Sequence, residues 1–191
     1  GETRVTWTPP LSLAEEITDA VAGDCVLTAT TYSGSSVVGT SSCPIKLYVP
    51  EEVKPTASLA AQVVNDNAVI AGWGVCVRGY SCLAYQVTAA GARGSSIRSC
   101  RVQFAGQTAE GLTGQTGIIQ QAGTLIPEAR VTDSRGRWAT AQGGAVAVLP
   151  YANPTLTARL LGRCGADGTL RDDGDCVKVL CTGACSLVGG H

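Results

Sequence analysis

Between residues 53 and 149, seven short apolar runs stand at 56–64, 73–78, 82–90, 97–104, 116–120, 124–132 and 138–148, with turn-forming residues between them. Where the pattern is clean it repeats every two residues: Leu83, Tyr85, Val87 and Ala89 share one parity, as do Cys100, Val102 and Phe104. A period of two places alternate side chains on opposite faces of an extended chain, so each run reads as a strand with one face turned inward. Seven such strands in a segment of this size fit a two-sheet sandwich.

Composition agrees with an all-β class. Apolar residues make up 45% of the 191 positions, mostly Ala, Val, Leu and Ile, and 24 glycines break up runs of Thr, Ser and Val. That is the make-up of many short strands joined by tight turns. The net charge is −1, from 14 basic and 15 acidic residues spread without blocks, so no electrostatic case exists for nucleic acid or an anionic membrane as a partner. No apolar stretch reaches the roughly 20 residues of a helical membrane span. The chain contains no methionine, and its abrupt ends predict a piece of a longer or processed polypeptide.

Two proline-bearing junctions, YVPEEVKPT (48–56) and LPYANPT (149–155), divide the chain. They predict three consecutive β domains: 1–50, 51–149 and 150–191, with only the middle one complete. In the first, 25–33 and 37–49 flank a Ser-Gly-Ser turn as a hairpin with one buried face, preceded by a short helical turn within 11–20. In the last, 155–164 and 175–183 pair around the loop GADGTLRDDG.

Nine cysteines leave at least one without an intrachain partner. If the first hairpin turns through Ser33–Ser35, Cys25 lies opposite Cys43; in the last hairpin Cys164 and Cys176 flank the loop. These four are candidates for bridges, with free thiols as the alternative. Cys164, Cys176, Cys181 and Cys185 lie on expected strands, where alternation scatters them, and so do not form a zinc knuckle. Asp167, Asp172, Asp173 and Asp175 lack the spacing of a calcium loop, and GLTGQTG (111–117) lacks the lysine and flanking elements of a phosphate cradle. The single histidine, His191, is the last residue and cannot be held in a catalytic system. Glu51, Glu52, Glu110 and Glu128 have no distinctive setting. Trp73 and Trp138 are better read as packing than as sugar platforms. No catalytic, cofactor-binding or metal-ligating residue is assigned, and the expectation is a protein that is not an enzyme.

VTDSRGRWAT (131–140) is the densest cluster of polar chemistry. It reads as a hairpin: Asp133 to Gly136 form the turn, Asp133 caps it through its side chain, and Gly136 takes the positive φ. Arg135 and Arg137 then flank the tip and face water, which predicts that Gly136→Val weakens folding more than Arg135→Ala. Asp133, Arg135, Gly136 and Arg137 are thus candidates for a turn and contact site.

The phrases WTPPLSLAEEITDAVAGDCVLTATTYSGSSVVGTSSCPIKLYVP, GWGVCVRGYSCLAYQVTAAGARGSSIRSCRV, ARVTDSRGRWAT and RCGADGTLRDDGDCVKV, in that order, resemble consecutive immunoglobulin-like repeats of a siphophage tail protein family. The family's function is unassigned, and its members occur in phages and prophages of Gram-positive bacteria. The resemblance implies tandem immunoglobulin-like or fibronectin-III-like β-sandwiches. It further implies a structural part of a tail, baseplate or fibre, placed in the virion, with other tail proteins and copies of itself as partners. The alternative is a module that binds a bacterial surface glycan or protein, at a tail tip or as an extracellular adhesin. Its contacts would come from the loops at 91–96, 106–117 and 165–174.

Overall fold

The computed structural model describes residues 4–188. Strands take up 54% of the chain and helix 6%, so the class is all-β. The strands are β1 (Ala22–Ser33), β2 (Ser36–Tyr48), β3 (Thr56–Asn65), β4 (Cys76–Val77), β5 (Ser81–Ala90), β6 (Ile97–Phe104), β7 (Gln107–Glu110), β8 (Thr113–Gln115), β9 (Gly123–Leu125), β10 (Glu128–Asp133), β11 (Trp138–Gln142), β12 (Val146–Leu149), β13 (Thr155–Cys164) and β14 (Cys176–Ala184). A 3₁₀ helix, Leu11–Glu16, precedes β1, and a six-residue helix α1, Ala68–Trp73, follows β3.

The chain divides into two compact units. The first comprises Gly1–Gln62, Leu83–Gly117 and Leu125–Val146; the second comprises Val63–Cys82, Ile118–Thr124 and Ala147–His191. These are discontinuous in sequence and do not follow the proline junctions, because strand pairing joins segments that lie far apart along the chain.

In the first unit a four-stranded sheet, β11-β10-β6-β7, and a three-stranded sheet, β3-β5-β8, share one core. Tyr85 and Val87 of β5 meet Cys100 and Val102 of β6 and Ala129 and Val131 of β10, with Ala57, Leu59 and Ala61 of β3 beside them. Val102, Ala129 and Val131 have no exposed surface. The period-two pattern is therefore realised as buried faces on two sheets. A second, smaller cluster gathers Ala14 of the 3₁₀ helix and Ile17, its C-cap, with Val49 and Val53 of the linker.

The hairpin β1–β2 differs from its sequence reading in two respects. The turn is Gly34–Ser35, with Ser33 opposite Ser36 and a bulge at Thr31/Tyr32, so Cys25 faces Ile45 and Cys43 faces Leu27. Gly34, at φ 60, occupies the first turn position, which a two-residue loop with matching twist gives to glycine. The shorter turn and the bulge together shift the register, and Cys25 and Cys43 are not direct partners. Nor is one face buried: Leu27 is 51% and Val26 66% exposed. Parity decides which side a residue takes, but a two-stranded ribbon covers neither side by itself.

The second unit holds α1, the three-stranded sheet β4-β12-β9 and the hairpin β13–β14. Asn67 caps α1 by accepting from the amides of Val69 and Ile70, and Gly74, at φ 66, ends it. The run expected as a strand at 73–78 thus supplies only β4, which lies parallel to β12 with Val148 opposite Cys76. The expected strand at 116–120 is irregular: the Thr116 hydroxyl takes the amide of Leu83. Pro127 separates β9 from β10, and Gly143–Gly144 separate β11 from β12. In β13–β14, Cys164 is directly opposite Cys176.

Candidate functional site

The β10–β11 hairpin carries the most heavily bonded polar cluster in the first unit. Its turn is built by Asp133, whose Oδ1 accepts the amides of Arg135 at 3.0 Å and Arg137 at 2.8 Å. Gly136 closes the loop at φ 80, donating its amide to the Asp133 carbonyl. Asp133 is fully buried, and its Oδ2 has no hydrogen-bond partner among the described residues.

Arg135 does not face water. Only 6% of its surface is exposed. Its Nε donates to the Ile17 carbonyl at 2.7 Å, one Nη donates to Ala92 at 2.5 Å, and the other donates to Ala14 at 2.7 Å and to the Arg93 carbonyl. A guanidinium has five N–H donors in a fixed planar fork. Here the fork gathers four main-chain oxygens from two segments. Ala14 and Ile17 lie at the C-terminal end of the 3₁₀ helix, where carbonyls run out of helical donors and a cation is favoured. Ala92 and Arg93 belong to the loop after β5.

Arg137 repeats the device on the linker. It is half-buried, and its two Nη atoms donate to Val53 at 2.8 Å and to the Val49 carbonyl. Ser134 adds a third link: its hydroxyl donates to Thr18 at 2.5 Å and accepts the amide of Ser96 at 3.1 Å. The expectation that both arginines are solvated is therefore corrected. Two buried or half-buried cations are tolerated because carbonyl dipoles replace the water they lose.

The loop 91–96 is consumed by this clasp. Arg93, at φ 49, pairs with Glu15 at 3.1 Å, and Gly94, at φ 79, lies so close to the 3₁₀ helix that a Cβ would be 3.0 Å from the Glu15 carbonyl. The stretch 106–117 holds β7 and β8, and Gly114 lies against the Tyr85 hydroxyl. In 165–174, Asp167 accepts from the amide and hydroxyl of Thr169, which hold its carboxyl below the usual carboxylate range.

The remaining candidates are dispersed. Trp138 is half-exposed, but the Arg130 guanidinium lies 4.3 Å from its ring centre. Trp73 packs against Ile70, Val77 and Val188. Glu110 pairs with Arg101 at 2.9 Å on the surface. All nine cysteines are free thiols; Cys76 and Cys100 are buried, and burial pushes both thiols up from their ordinary value. Among the described residues no group of three or more His, Cys, Asp or Glu side chains is gathered as metal ligands would be. His191 lies outside the described residues.

A family model described as a siphovirus protein of unknown function matches residues 1–167. The chain belongs to that family. The matched span contains every residue of the clasp, from Ala14 to Arg137, and ends within the loop that follows β13. No curated protein matches the chain.

The acceptors Ala14, Ile17, Val49, Val53, Ala92 and Arg93 escaped the sequence reading because they act through main-chain oxygens, which any residue carries. The available signal was on the donor side: arginines at alternate positions around one turn glycine, together with a short helix lacking a glycine stop.

Proposed function

We propose that the chain is a non-enzymatic structural component of a siphophage tail, baseplate or fibre, in which immunoglobulin-like β modules act as a spacer or decoration. The observation that carries this reading is the clasp. Arg135 and Arg137 are spent on the protein's own main chain, binding the 3₁₀ helix, the 91–96 loop and the 49–53 linker to one hairpin. Such bonds stiffen the junction between the β1–β2 hairpin and the sandwich that follows it. A spacer needs a rigid junction, whereas a free linker would let its modules swing. Family membership supports a particle of the siphovirus type as the setting, with other virion proteins and further copies of the chain as partners.

The test is peptide mass spectrometry on purified phage particles and on tails separated from capsids. Peptides of this chain should co-purify with the tail fraction in stoichiometric amount. A chain present in the infected-cell lysate but missing from particles would end the proposal.

A further inference from the structure

In the second unit, a cleft of about 460 Å³ is lined by Arg78, Gly79, Tyr80, Gln120, Tyr151 and Asn153. Its volume is within the range of small-ligand sites. We propose that this cleft binds an oligosaccharide. The inference extends the reading above by naming a partner for a particle-borne protein, but the binding itself belongs to the isolated chain.

Three segments build the cleft, and each is fixed by its own main chain. The 78–80 turn is held by the Arg78 amide on Leu149 at 3.0 Å and the Gly79 amide on Ile119 at 2.8 Å. The second bond also fixes the neighbour of Gln120. The 151–153 segment is pinned where the Ser186 hydroxyl accepts the Ala152 amide at 2.9 Å and donates to the Ala152 carbonyl at 3.1 Å. Tyr80 and Tyr151 stand edge to face, with ring centres 5.1 Å apart and planes at 85°, and both pack against the cluster of Ile70, Val77 and Val188. The frame is thus ordered before any ligand arrives, which lowers the entropic cost of binding.

The side chains left over match a sugar. One Arg78 Nη donates to the Tyr151 carbonyl at 2.7 Å, and among the described residues its other Nη and its Nε reach no protein acceptor; Asn153, whose Oδ1 lies 3.5 Å from the Tyr80 hydroxyl, keeps its amide nitrogen open. Among the described residues the Gln120 amide nitrogen approaches the Ile118 carbonyl at 3.5 Å, which is beyond a well-formed bond. Amides both donate and accept, as vicinal hydroxyls do, while the tyrosines offer an apolar surface to C–H groups and a polar tip. No carboxylate lines the cleft, so neutral and acidic saccharides are both admitted. Trp73 and Trp138 do not supply this chemistry: Trp73 is packed against the Ile70, Val77 and Val188 cluster and Trp138 lies under Arg130.

The test uses the full chain on an array of bacterial cell-wall polysaccharides and their disaccharide fragments, followed by calorimetric titration of whichever saccharide binds. Tyr151→Ala and Asn153→Ala should each weaken binding roughly tenfold or more, while Trp138→Ala leaves it unchanged. Should Tyr151→Ala fail to fold, Gln120→Ala and Asn153→Ala, both at exposed positions, carry the test. A blank array, or binding undiminished by the folded cleft variants, overturns the inference. A blank array for a chain found in particles would sink the cleft alone; saccharide binding by a chain absent from particles would sink only the particle reading.

Discussion

Arg135 Nε donates to the Ile17 carbonyl across 2.7 Å and 118 residues of sequence. The contact joins the tip of a β hairpin to the end of a 3₁₀ helix that precedes the first strand. It turns a residue of turn chemistry into the anchor of a junction. Asp133 makes this possible: by taking the amides of Arg135 and Arg137 on one oxygen, it fixes the turn so that both arginine side chains leave it toward the same packed junction.

Arg135→Ala is expected to destabilise the first unit by about 2 to 4 kcal/mol, since it strips buried carbonyls of a charged donor. Gly136→Val should cost about 1 to 2 kcal/mol, because a Cβ at φ 80 is strained yet meets no atom within 4 Å. This reverses the order that the sequence suggests. Arg135→Lys should recover little, since one ammonium cannot span the carbonyls of Ala14, Ile17, Ala92 and Arg93. Urea denaturation of the three variants gives the order directly, and a larger loss for Gly136→Val would contradict the clasp.

Arg137→Ala is expected to loosen the linker more than the sandwich. Val49 and Val53 keep their places in the small apolar cluster, but both carbonyls lose their donor. Limited proteolysis should then cut within 48–56 faster than in the parent chain, with a smaller change in the overall melting point. An unchanged cleavage rate would show that apolar packing alone holds the linker.

The sandwich strands were legible because Leu83, Tyr85 and Val87 alternate with less buried positions, and a period of two has few structural meanings. Helix α1 was not, since six residues are too few to show a helical period, although Asn67 and Gly74 marked its ends. Pro127 and Gly143–Gly144 break two runs that hydrophobicity alone joins, so the expected strands at 124–132 and 138–148 each divide in two. The clasp was legible only as a turn. What lies opposite a guanidinium is a tertiary fact, and main-chain oxygens leave no trace in the sequence.

Alkaline stability follows from the buried thiols. Burial raises Cys76 and Cys100 above the ordinary 9.0, with Glu110 adding to the shift at Cys100. An unfolded chain releases these protons at lower pH than the folded one, so the contribution is complete below about pH 9 and is lost as pH climbs through the raised values. Under reducing conditions, unfolding free energy should fall as the pH rises above about 9, and Cys100→Ala should flatten that slope whatever it does to stability at pH 7. An identical slope in the variant would count against Cys100 as a source.

Under mild oxidation by a small-molecule disulfide, Cys164 and Cys176 are expected to join first. They are direct antiparallel partners, whereas Cys25 faces Ile45 and Cys43 faces Leu27. Antiparallel partners have Cα atoms roughly 4.5 to 5.5 Å apart, inside the range a disulfide spans. Cys176 is exposed and Cys164 buried, so the order of events is set: the Cys176 thiolate attacks the reagent and expels one of its thiols. Cys164 then displaces the second thiol, and the protein gives up two protons and two electrons in all. Closing this loop should raise the stability of the β13–β14 hairpin by up to about 3 kcal/mol. Peptide mapping would detect the bridge, and Cys176→Ala should abolish it while leaving Cys164 unmodified. A Cys25–Cys43 bridge forming first would contradict the register of the first hairpin as well as this prediction.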